Sequence, residues 1–162
     1  MNEYDQIIKK SHYDPKEAEV ILIQLLKLAE ADGIFDESEK MLIRGLIKKH
    51  SYSYSHIDEL LPEKDKELDF SAVRHPEHML LYMIMLAYCD GKLSEEEWIQ
   101  IKETAYIMAI DDKRLEQLHI IVRQKLYSTL FNQLSTSKVK KEIKRQFLSE
   151  VKNCLSLSKV IA

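Results

Sequence analysis

Two stretches of this chain, Ala31-Asp32-Gly33-Ile34-Phe35-Asp36-Glu37-Ser38-Glu39 and Cys89-Asp90-Gly91-Lys92-Leu93-Ser94-Glu95-Glu96-Glu97, follow one pattern at a constant offset of 58 residues. Each sets Asp-Gly at the end of an apolar run and an oxygen-bearing cap residue three positions beyond the glycine. A constant offset of this kind is the signature of an internally duplicated helix-turn-helix unit. It constrains architecture strongly and chemistry weakly.

The rest of the chain agrees with an all-α fold. Only three glycines and three prolines punctuate 162 residues, which leaves long uninterrupted segments and argues against a many-stranded sandwich or barrel. With 45% apolar residues the chain is long enough to bury one core as a single domain spanning 1–162. The longest near-apolar run, Met79 to Cys89, is well short of the roughly 20 residues that cross a bilayer. Glu3 and Asp5 precede any sustained apolar stretch, unlike the basic start of a secretory signal. A cytoplasmic protein is expected. Cys89 and Cys154 form no C-x-x-C pair, which points to thiols rather than a disulfide or zinc site.

Helix starts are legible. Asp14-Pro15-Lys16-Glu17 offers an N-cap, a proline at the first helical position and a Glu able to complete a capping box. The helix predicted from Pro15 to Asp32 is apolar nearly all round, so it belongs at the centre of the molecule. Asp36 to Glu39 starts an amphipathic partner ending at His50. Ile57 to Leu61 form one or two turns, His75-Pro76 starts a second all-round apolar helix, and Ser94 to Glu97 cap a second amphipathic one. In that helix Trp98, Ile101, Tyr106 and Ile107 are expected to face inward. The repeat units thus span about 14–61 and 75–120, followed by helices at about 112–133 and 137–156. The count is seven helices, with a short additional one around Tyr4 to Lys10.

The acidic corners are the candidate site. Asp32 and Asp90 fall at helix C-termini, where the macrodipole disfavours an anion. Either an Asx-type turn or a bound divalent cation would offset this. Aligned on the glycines, Asp32 with Glu39 and Asp90 with Glu97 occupy the fifth and twelfth positions of a calcium loop. The first position is Leu28 or Leu86, so independent calcium sites are disfavoured and turn and cap chemistry accounts for the residues. A site shared between the two corners stays open. His75 and His78, at i,i+3 beside Glu77, are a second set of ligand-type residues. There is no G-x-S-x-G elbow, glycine-rich phosphate loop or H-E-x-x-H pattern, so no enzyme and no organic cofactor are expected.

Charge is unevenly spread. Residues 136–162 contain seven Lys or Arg and two Glu, a balance of +5, which leaves −8 on the first 135. The basic last helix, with Val139, Ile143, Phe147, Val151 and Leu155 at i,i+4, is expected to pack on the acidic body. Peripheral association with an anionic membrane is the alternative, and nucleic acid is not expected.

A helix ending in Ala-Asp-Gly, then a hydrophobic residue, a Ser or Asp cap and a Glu three positions on, resembles the TerB-like family of tellurite-resistance proteins. Related domains occur in the co-chaperone DjlA. The match lies at Ala29 to Glu39 and again at Ala87 to Glu97. The resemblance implies an all-helical fold of about seven helices in pseudo-duplicated halves. It also implies a non-enzymatic role in tellurite resistance or envelope and metal-linked stress, through protein partners or bound cations. The acidic family motif maps onto Asp32, Asp36, Glu39, Asp90, Glu96 and Glu97, with Ser94 standing where a carboxylate would be expected.

Overall fold

A computed structural model of the chain describes residues 2–9, 12–31, 35, 37–50, 56–89 and 93–135, with 141, 145, 146 and 149. Seven α-helices make up the described residues, with two short 3-10 turns and no strand among them. They are α1 (Glu3–Lys9), α2 (Pro15–Ala29), α3 (Glu37–His50), α4 (Ile57–Leu60), α5 (Pro76–Ala87), α6 (Glu95–Ile107) and α7 (Asp112–Ser135). The short N-terminal helix is therefore real, and of the predicted helix at 137–156 only residues 141, 145, 146 and 149 are described, each in helical conformation.

The duplication is visible in the element boundaries. The ends of α2 and α5, Ala29 and Ala87, stand 58 residues apart, and so do the starts of α3 and α6, Glu37 and Glu95. The other boundary of the central pair does not keep that spacing. Pro15 and Pro76 are 61 apart, so α5 is about one turn shorter at its N-terminus.

Eleven of the fifteen residues of α2 and eight of the twelve of α5 are buried. Neither helix can keep a solvent face, so the two lie against each other at the centre and the remaining helices surround them. α3 covers α2, α6 covers α5, and α7 crosses α5 with α1 and α6 beside it. Leu25, Leu26, Leu28, Leu80, Leu81 and Ile84 are fully enclosed, and burying each such side chain contributes about 1.5–3 kcal/mol.

Local signals explain most ends. Asp14 accepts from the Glu17 amide at 2.9 Å to start α2, as its cap position predicts. At the start of α6, Ser94 Oγ accepts from the Glu97 amide while Glu97 Oε1 accepts from the Ser94 amide, a complete capping box. α6 closes with Ile110 N donating to Ala105 O and Ala109 N to Tyr106 O, and Ala109 holds φ +59°. This is a Schellman ending with alanine in the place usually taken by glycine.

Candidate functional site

Of the six acids in the motif, Asp32, Asp36 and Asp90 lie outside the described residues, as do Gly33 and Gly91. Glu39 and Glu97 occupy equivalent places in the first turns of α3 and α6 and are both buried, while Glu96 is exposed. Glu97 uses its carboxylate in the capping box. The two copies of the motif are in contact: Ser38 Oγ donates to the Cys89 carbonyl at 3.0 Å. Among the described residues no group of three or more His, Cys, Asp or Glu is arranged to hold one metal ion.

A second polar cluster joins the two units at their other end. His75 and His78 do come together, with rings stacked at 4.8 Å. Their carboxylate is Glu17, however, and Glu77 turns away to a bidentate pair with Arg114 at 2.6 and 2.7 Å. That guanidinium holds the Glu77 carboxyl below the usual carboxylate range.

Glu17 is fully buried. Its Oε2 accepts from the backbone amides of Arg74 at 2.6 Å and His75 at 2.8 Å, and His75 Nδ1 lies 3.1 Å from both carboxylate oxygens. The capping box predicted for α2 is thus only half made. The N-cap of α5, His75, makes no side-chain cap bond, and the Glu17 carboxylate instead serves the amides entering that helix. Tyr13 extends the cluster: its hydroxyl is 2.9 Å from His78 Nδ1 and donates to Tyr82 Oη at 3.1 Å. Burial, then the neighbouring His75, pushes His78 below the ordinary histidine value. Neither Tyr13 nor the Glu17 contact to α5 was legible in sequence, because both span more than 50 residues.

The third region is the outer side of α6. The buried face of this helix is Glu97, Ile101, Thr104 and Ala105. Tyr106 stands five residues beyond Ile101, about 140° around a helix of 3.6 residues per turn, and so points away from the core. Tyr106 is 87% exposed and Ile107 59%, against the expected inward orientation, while Ile101 is buried and Trp98 half-buried as expected. Ile99, 45% exposed, stands about two turns before them, with Lys102 and Glu103 on the turn between. Ile99, Lys102, Glu103, Tyr106 and Ile107 line a shallow groove of about 560 Å³.

Beside it, where α6 meets α7, a second groove of about 380 Å³ is lined by Leu93, Ser94, Glu95, Trp98, Glu116 and His119. The His119 ring lies 4.8 Å from Trp98, and the Tyr88 hydroxyl sits 2.7 Å from its Nε2. Burial, reinforced by the charge of Arg123, pulls His119 down to about 4. The ring is therefore neutral at physiological pH, and its Nε2 shares a hydrogen bond with the Tyr88 hydroxyl whose direction the tautomer sets. Nδ1 is buried without a hydrogen-bond partner, its nearest carboxylate oxygen, on Glu116, being 3.8 Å away. Glu116 is engaged by Arg123 at 3.2 Å.

No described helix is long and apolar enough to cross a membrane. Comparison of the chain with protein-family models, with curated proteins and with solved structures finds no match in any of the three.

Proposed function

We propose that this chain is a non-enzymatic helical interaction module whose docking face is the outer side of α6. The observation that carries the reading is the stripe of Ile99, Tyr106 and Ile107, three large apolar side chains held open to solvent on one short helix. Scattered single apolar residues are ordinary on a protein surface, whereas three large ones lining one groove mark a place where another surface sits. The rigid ending of α6 supports this, since the Schellman turn through Ala109 holds Tyr106 and Ile107 in the last helical turn.

The test is site-specific photo-cross-linking in the cell. A benzophenone side chain at Tyr106 is expected to yield a discrete protein adduct, and the same group at exposed Asp58 none. No adduct at 106, or equal adducts at both places, refutes the docking face. The TerB-like resemblance extends the proposal to tellurite or envelope stress, which a deletion strain challenged with tellurite examines directly.

A second reading, a divalent-cation sensor or buffer at the acidic corners, is favoured by one contact. The Ser38 to Cys89 bond joins the two copies of the acidic motif, and a shared site would draw ligands from both. Calorimetric titration with calcium, magnesium and zinc after chelator treatment tests it, and absence of binding at millimolar metal removes it.

A further inference from the structure

The two grooves along α6 differ in chemistry, and together they specify a partner. One is apolar with exposed Ile99, Tyr106 and Ile107. The other is lined by Trp98 and His119 together with Glu95 and Glu116. Ile99 and Tyr106, seven residues apart, share one ridge of the helix, and Trp98 lies about 100° round from Ile99, so an element docked along that ridge borders both grooves. The charges around them are mostly acidic: Glu95, Glu96 and Glu103 against Lys102, with Glu116 and Arg123 paired to each other. Neither Lys102 nor Glu103 has an ion pair among the described residues.

We infer that this face accepts a basic amphipathic helix of a partner protein, with apolar side chains on Ile99, Tyr106 and Ile107 and a Lys or Arg in the Trp98 groove. The inference rests on the reading of α6 as a docking face and adds the chemistry of what docks. A helix laid on a groove presents anchors at i, i+3, i+4 and i+7, which matches a row running from Ile99 to Tyr106 over two turns. The flanking residues of that partner then meet carboxylates, and the indole face attracts a cation held over it. The wall completed by His119 does not oppose this, because that ring is uncharged at neutral pH. An acidic partner helix would face like charge along the whole row.

Trp98 is the sole tryptophan of the chain and reports on its own groove. The full chain is titrated with a synthetic 20-residue peptide of Leu and Lys patterned as an amphipathic helix, and with the Leu and Glu peptide of the same pattern. Saturable change of Trp98 emission is expected with the first and not the second. Tyr106→Ser and Glu95→Gln should each weaken it by about fivefold or more, the scale of one desolvated cation–π or apolar contact. Both are surface changes, and unchanged helical circular dichroism confirms that the variants are folded.

Equal response to both peptides, or affinity indifferent to both substitutions, overturns the inference. Silence toward the Lys peptide, with Trp98 emission that shifts on Lys140→Glu and Lys144→Glu, identifies the chain's own residues 136–162 as the occupant and likewise overturns a separate partner. A Tyr106 cross-link to a protein without a basic helix would defeat this assignment alone and leave the docking face intact.

Discussion

His119 makes the stability of this protein depend on pH in a window that can be worked out beforehand. The ring is 12% exposed, and its value falls from 6.5 to about 4 because the charged form loses water and faces Arg123. A histidine whose folded value is depressed contributes stability in full above the unfolded value, since neither state then binds the proton. As pH falls below 6.5 the unfolded chain takes up a proton that the folded chain refuses, and stability is lost until the pH reaches the folded value. At 1.36 kcal/mol per pH unit the loss is about 3 kcal/mol. Residual solvent screening at the groove reduces it to about 2 kcal/mol.

The assay is urea unfolding followed by circular dichroism at steps between pH 7.5 and 4.5, for the wild type and His119→Gln. Gln can donate to or accept from the Tyr88 hydroxyl and does not titrate. Carboxylates and His78 act on both proteins alike, so the difference between the two curves isolates His119. That difference should shift by about 2 kcal/mol across the window, with the wild type losing more. Curves that stay parallel, or a His119 ring proton titrating near 6.5 by NMR, would refute the reasoning.

Other substitutions test the framework. Glu17→Ala strips the acceptor from two amides and an imidazole around a fully buried carboxylate, and at about 1–3 kcal/mol per orphaned group, with His75 partly open to water, the melt should show a loss of about 3 kcal/mol. Ser94→Ala removes half of the α6 capping box and should cost about 1 kcal/mol by denaturant titration. Ala109→Gly relieves a left-handed alanine at φ +59°. The gain should be about 0.5–1 kcal/mol after the greater freedom of glycine in the unfolded chain is counted, and a lower melting temperature would contradict the Schellman assignment.

The helical class, the doubled hairpin and the placement of α2 and α5 at the centre could be read from sequence because each rests on local rules. Caps, punctuation and apolar periodicity operate within a few residues, and the 58-residue offset repeats them. The Ser94 to Glu97 capping box is such a local device, and it formed as read. Glu17 began as another. Its amide follows the local rule by binding Asp14, while its carboxylate answers to amides 57 and 58 residues away.

What only the tertiary structure decided was which side of α6 faces the core and which residues of distant elements share a cluster. An apolar residue is compatible with either side of a helix until a neighbour fills one. α5 and α7 pack on α6 from the side of Ile101 and Ala105, which leaves Tyr106 and Ile107 to solvent. Likewise His75 and His78 are close in sequence, but their partners Glu17 and Tyr13 arrive only when α2 is laid against α5. Periodicity is a property of one helix, whereas the choice of face and of polar partners belongs to the pairing of several.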